Sequence, residues 1–148
     1  MAASFNRVLT QYGALPYAID KDGRIRIMLV TSRSRRDWII PKGWPIPRLS
    51  PAETAAREAY EEAGLIGTIM SEEPVGYYRY AKQGAAWRRM LCEVAVFLFA
   101  VDRQLAKWPE KAERETRWFT PEQAAARVAS GSLADVVQSA TRQMQGAV

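Results

Sequence analysis

Arg57-Glu58-Ala59-Tyr60-Glu61-Glu62-Ala63-Gly64-Leu65, with Pro41-Lys42-Gly43 ahead of it, is the stretch around which this sequence is organised. Upstream, Ser50-Pro51-Ala52-Glu53 supplies an N-cap serine, a proline at the first helical position and a glutamate that can reach back to the cap. Downstream, Gly64 is a natural stop. The spacing predicts a helix over 51–63. At roughly 100° per residue, Ala52, Ala55, Ala56, Ala59 and Ala63 form one narrow small-residue stripe that can approach a sheet closely. Glu58 and Glu62 flank the stripe as an i,i+4 pair, and Glu61 lies one step further round.

For helix stability alone this is a poor arrangement. Like charges at this spacing cost about 0.2–0.5 kcal/mol per pair. Carboxylates in the last turn face the negative end of the helix dipole, at roughly another 0.3–1 kcal/mol each. Arg57 can reach Glu61, but one guanidinium does not neutralise three carboxylates. A hard cation such as Mg²⁺ or Mn²⁺ would, because it takes clustered carboxylate oxygens and a backbone carbonyl and bridges to phosphate. The alternative is a solvated acidic face.

Gly43 followed at this distance by Arg57-Glu58-Ala59-Tyr60-Glu61-Glu62-Ala63-Gly64-Leu65 resembles the signature of the Nudix hydrolases, which cleave diphosphates linked to another moiety. The signature covers residues 43–65. Within that family the sequence is most similar to the diphosphoinositol polyphosphate phosphohydrolase branch, through Val30-Thr31-Ser32-Arg33, Trp38-Ile39-Ile40-Pro41 and Trp118-Phe119, which extends the resemblance over roughly 13–130. The resemblance implies a three-layer α/β/α sandwich with a mixed central sheet. It also implies a Mg²⁺ (or Mn²⁺) site formed by Glu58, Glu61, Glu62 and the Gly43 carbonyl. Glu58 or Glu62 would then lie nearest the attacking water, with Arg57 orienting the glutamates. One departure stands out: where the family has a glutamate six residues after the first glycine, this chain has Leu49. The change bears on loop anchoring and on the number of metal ions more than on the reaction, and Leu49 is expected to pack against Ile46.

Composition agrees with a globular enzyme: 148 residues, 48% hydrophobic and 25% charged. The chain is expected to form one domain, with tails at 1–8 and 146–148. Cys92 is the sole cysteine and sits in an apolar run, which excludes a disulfide framework and a thiolate zinc site and suits a buried thiol. Residues 1–20 lack an apolar signal core, and Val94 to Val101 is far too short to span a membrane, so the cytoplasm is the expected location. The net charge of +5 favours anionic partners. A nucleic-acid partner would rest on that charge alone, since no zinc-finger spacing, RNA-recognition motif or basic tail is present. A small polyphosphorylated molecule is the expected partner, and a homodimer stays open.

In chain order, Gln11 to Ile19 and Arg24 to Thr31 read as a hairpin around Asp20-Lys21-Asp22-Gly23, with Pro16 suggesting an edge or an irregular strand. A basic loop at 32–37 leads to a short strand, Trp38 to Ile40. After the acidic helix, strands are expected over Thr68 to Met70, Val75 to Tyr80, Trp87 to Val101 (after a turn at Gln83-Gly84) and Thr116 to Phe119. Thr120-Pro121-Glu122-Gln123 repeats the capping signature and opens a helix to about Val128. Ser132 is the expected cap of a last helix with Leu133, Val136, Val137, Ala140 and Met144 on one face.

The absence of histidine rules out Ser-His-Asp and Cys-His chemistry, and no Gly-x-x-x-x-Gly-Lys-Ser/Thr loop occurs. What remains is carboxylate and metal chemistry, in which a cation polarises the phosphoryl group and a carboxylate takes a proton from water. Glu113 and Glu115 are alternative bases outside the signature. Arg33, Arg35, Lys42 and Arg89 are candidates for substrate phosphates, because guanidinium forks pair with phosphate oxygens. Trp44, Trp87 and Tyr78 are aromatic candidates for a base or sugar, with ordinary packing as their simpler role.

Overall fold

A computed structural model of the chain describes residues 7–83 and 89–146. Among them, eight strands form one mixed sheet. β1 (Val8–Ile19) and β7 (Arg89–Gln104) run parallel through its middle, from Val8 opposite Leu91 to Tyr17 opposite Ala100. The other pairings are antiparallel: β2 (Ile25–Thr31) on β1, β8 (Thr116–Phe119) on β2, and both β5 (Leu65–Ile69) and β6 (Gly76–Gln83) on β7.

Successive strand residues point to opposite faces, and each face is covered by different helices. Leu15, Ile27, Leu29, Val94 and Val96 are buried with residues of α2 (Pro121–Arg127) and α3 (Gly131–Gly146). Their neighbours Ala14, Met28, Val30, Ala95 and Phe97 are buried with the alanines of α1 (Pro51–Ala63). The result is the expected three-layer sandwich around a mixed sheet.

The sheet opens where the site will be. β1 and β2 pair only from Tyr17 to Ile19 and then part. Two short strands fill the gap: β3 (Trp38–Ile39) pairs with β2, and β4 (Lys42–Gly43) pairs with β1 at Tyr12 and Gly13. Ala14 donates its N–H to the Pro41 carbonyl at 3.0 Å, which pins the connecting turn to β1. Gly13 permits this approach, since a Cβ there would meet Ile40 and Val94 side-chain carbons at 3.0 Å.

Several details depart from the sequence expectations. β1 is central, not an edge strand; Pro16 lies where its neighbour changes from β4 to β2, so its missing N–H falls at a break between partners. β5 begins directly after Gly64, with Leu65 buried and a register shift between Ile66 and Gly67. The last helix is capped by Ser130, whose hydroxyl accepts from Leu133 N–H at 3.4 Å, and not by Ser132. Val8 belongs to β1 and Gly146 ends α3, so neither belongs to a tail. Residues 1–6 and 147–148, Gly84 of the expected turn and Trp87 lie outside the described residues. Cys92 is fully buried and unpaired, as expected.

Candidate active site

α1 forms over 51–63 because its ends are fixed locally. The Ser50 hydroxyl accepts from Glu53 N–H at 3.1 Å, the Glu53 carboxylate accepts from Ser50 N–H at 2.9 Å, and Gly64 takes the left-handed conformation at φ 69°. Ala52, Ala55, Ala59 and Ala63 are buried against the sheet, with Ala56 partly buried beside them. That contact rotates Glu62 inward: it is 3% exposed, the one buried carboxylate among the described residues.

Glu58 is half-buried and faces both Glu62 and β4. A Cβ at Gly43 would run into the Glu58 carboxylate, so glycine leaves the room that this group occupies. Burial raises the pKa of Glu58. Glu62 is pushed well above the usual carboxylate range, first by burial and then by the adjoining Glu58 carboxyl, against the pull of Arg114. Its Oε1 is buried without a hydrogen-bond partner. Glu61 turns away, to Arg57 Nε at 3.5 Å, on the more exposed side of the helix. Among the described residues, no three acidic, histidine or cysteine side chains are gathered closely enough to hold a metal ion.

The donor set nevertheless fits a hard cation. An orphaned buried carboxylate oxygen, a second carboxylate beside it and a backbone cradle at Gly43 that a side chain would fill are oxygen donors in a site too dry to ionise comfortably alone. Opposite them stand cations. Arg114, whose side chain is 8% exposed, sends Nε and Nη2 to Glu110 Oε1, both at 2.9 Å, and Nη1 to the Thr31 carbonyl at 3.1 Å. Nη1 also lies 3.8 Å from Glu62 Oε1. Lys42 lies 4.7 Å over the Tyr80 ring, and burial lowers its pKa while Glu62 opposes that shift.

Arg33, Arg35, Lys42, Lys82 and Arg114 line a pocket of about 570 Å³, with Ile39, Tyr78 and Leu133 among its apolar walls. Glu58 and Glu62 are not on that wall; Lys42 and Arg114 connect it to them. Arg33 is tethered to Glu113 at 3.2 Å, which engages one of the alternative bases, and Glu115 is exposed. Arg36 turns aside and donates to the Glu113 carbonyl at 3.0 Å. Arg89 opens β7, and its side chain lies outside the described residues. Trp44 is 40% exposed under Lys82, whereas Tyr78 is buried and stacked on Tyr80 with centroids 6.2 Å apart.

The sequence reading missed Arg114, Glu110 and Lys82. Arg114 stands between the two glutamates weighed as bases, and only the pairing of β8 with β2 brings it to Thr31 and Glu62.

A family model described as NUDIX domain matches residues 10–139. The chain belongs to the NUDIX domain family. This NUDIX domain is 30% identical over 128 residues to Nudix hydrolase 13, mitochondrial, of Arabidopsis thaliana, across 76% of this chain and 63% of that protein. It is 34% identical over 109 residues to Nudix hydrolase 12, mitochondrial, of the same plant, across 72% of this chain and 53% of that protein. The chain thus spans little more than half to about two thirds of these relatives' length. Among solved structures, a C. elegans Ap4A hydrolase binary complex shares the fold with a TM-score of 0.70 at 18% identity, across 94% of this chain and 99% of that one. A MutT protein from Methanosarcina mazei Go1 does so with a TM-score of 0.64 at 19% identity, across 95% and 98%. These matches establish the family; the diphosphoinositol polyphosphate branch is a finer assignment than they carry.

Proposed function

We propose that this chain hydrolyses a phosphoanhydride bond in a small polyphosphorylated molecule with the help of Mg²⁺ or Mn²⁺. The observation that carries this reading is the buried Glu62, one of its carboxylate oxygens without a hydrogen-bond partner, paired with the half-buried Glu58 beside a pocket lined by five cationic side chains. Glu58, Glu62 and the Gly43 carbonyl would hold the cation, joined by Glu61 once it leaves Arg57. When bound, the cation supplies Lewis-acid polarisation of the phosphoryl group and neutralises the carboxylates.

The chain's own residues do the rest. Lys42 and Arg114 bind the phosphate nearest the glutamates, and Arg33, Arg35 and Lys82 bind phosphates further out, with Arg89 as a further candidate. A carboxylate oxygen of Glu58 or Glu62 takes the proton of the attacking water, and Arg57 keeps Glu61 beside the site through their 3.5 Å ion pair until the cation draws it in. Glu113 is disfavoured as the base by its ion pair with Arg33.

Five cations exceed what one diphosphate needs, which favours diphosphoinositol polyphosphates or diadenosine polyphosphates over ADP-ribose or nucleoside diphosphate sugars. A non-hydrolytic nucleotide-binding module would have no use for a buried and a half-buried carboxylate that lower stability. No helix among the described residues is long and apolar enough to cross a membrane. A buried, unpaired Cys92 suits the cytoplasm, and equally the mitochondrial setting in the names of the Arabidopsis relatives.

The test is phosphate release from those substrate classes with Mg²⁺, with Mn²⁺ and with chelator. Release is expected only with metal and fastest from the most phosphorylated substrates. Binding without release under every metal condition would instead favour the binding module.

A further inference from the structure

The helix that carries the glutamates ends in a clamp built from a distant part of the chain. Its last carbonyls would lack partners in an isolated helix, yet here consecutive ones are engaged. Gly64 N–H donates to Tyr60 O at 2.9 Å, Glu110 N–H to Glu61 O at 3.0 Å, and Trp108 Nε1–H to Glu62 O at 3.2 Å. Gln104 Nε2 then donates to Ala63 O at 2.9 Å, and Leu105 N–H to Gly64 O at 2.8 Å. Four of these five donors come from the segment 104–110. They stand where the helix dipole is negative and where three carboxylates repel one another, so they oppose both tendencies to fray.

Trp108 is central to this clamp. Its ring covers Gly64 so closely that a Cβ there would collide with it. The segment is itself tied down, with Lys111 N–H on the Trp108 carbonyl at 3.3 Å and the Lys111 amine 5.1 Å over the indole. Two residues on, Glu110 holds Arg114, which faces the Glu62 carboxylate. Glu62 is thus held at its carbonyl by Trp108, while Arg114 faces its carboxylate at 3.8 Å without hydrogen-bonding to it.

We propose that Trp108 is a positioning residue for Glu62: its indole N–H, by holding the Glu62 carbonyl, fixes the orientation in which the buried carboxylate meets Glu58, which itself fills the space at Gly43. The proposal rests on the hydrolase reading for its effect on turnover. The ring packs and the N–H aims, so the two roles can be separated.

Trp108→Phe keeps an aromatic ring over Gly64 and removes the donor. Benzothienylalanine at the same position keeps the bicyclic outline and also lacks the N–H, which covers the case that the phenylalanine variant folds poorly. Either variant, in the full chain, is expected to keep its melting temperature close to wild type and to leave KM within about two-fold. Turnover should fall by about 10- to 100-fold, as misplacement of a reacting group does. Amide exchange in Glu61 to Gly64 should quicken, and calorimetric titration should show weaker Mn²⁺ binding. A folded variant with wild-type kcat and wild-type exchange overturns the proposal, as does a loss of kcat that only follows the loss of folded protein. If the wild-type chain hydrolyses no phosphoanhydride, the hydrolase reading falls, and the exchange and Mn²⁺ measurements then decide whether Trp108 holds Glu62.

Discussion

Ionising Glu62 in the folded chain works against its surroundings, because burial and the Glu58 carboxyl both favour the protonated form. Its folded pKa lies above the unfolded one, so between the two values the folded state binds more protons and stability falls as pH rises. In chelator, the melting temperature should therefore be higher near about pH 5 than at about pH 8. Glu62→Gln removes the charge and should flatten that dependence relative to wild type, with a melting temperature at pH 8 equal to or above it. Mg²⁺ or Mn²⁺ should raise the wild-type melting temperature at pH 8, since a ligand of the folded state stabilises it by mass action, and should do so far less in the variant. Glu58→Gln and Glu62→Gln should each remove most turnover while the fold persists. Full activity in both variants, or a pH dependence of stability that is the same in Glu62→Gln as in wild type, would remove this pair from the site.

The element that bears these residues was legible almost to the residue, because its limits are set by neighbours in sequence. Ser50, Pro51, Glu53 and Gly64 state where α1 starts and stops without reference to the rest of the fold, and Thr120 to Gln123 do the same for α2. The loop ahead of α1 was not read as well. Leu49 is 37% exposed and does not anchor the loop by burial; the turn is closed by Leu49 N–H on the Ile46 carbonyl at 3.1 Å, with Arg48 at φ 73°. A backbone hydrogen bond can hold a turn whatever side chain is present, so the hydrophobic residue at 49 gave a false signal. Two substitutions separate these effects in a denaturant titration. Ser50→Ala should cost about 1 kcal/mol by removing the cap. Leu49→Glu should stay within about 0.5 kcal/mol, as exposed changes do. A large loss at Leu49 with none at Ser50 would mean that the loop, and not the cap, fixes the start of the helix.

At the level of the whole molecule, what local sequence could not reveal is what the sheet brings together. The parallel pairing of β1 with β7, the gap between β1 and β2, and the pairing of β8 with β2 are long-range, and these set Lys42, Lys82 and Arg114 around one pocket. Net charge gave the sign of the partner but not the place where the cations gather. Their placement makes a prediction that total charge does not. Arg35 lines the pocket, whereas Arg33 also carries the ion pair to Glu113, so Arg35→Ala is the cleaner loss of a phosphate partner and Arg33→Ala additionally frees a carboxylate. Contacts to outlying phosphates act through binding more than through the transition state, so both changes should raise KM for a highly phosphorylated substrate and alter kcat less. Raised salt should mimic them, because exposed charges are screened over about 8 Å at physiological ionic strength. Arg36→Ala, whose guanidinium is turned to the Glu113 carbonyl, should change KM least of the three. A substrate with a single diphosphate should respond weakly to all of them. If KM for polyphosphorylated substrates is indifferent to Arg33, Arg35 and salt alike, the outer cations are solvated surface charges, and a substrate of the ADP-ribose type becomes the better reading.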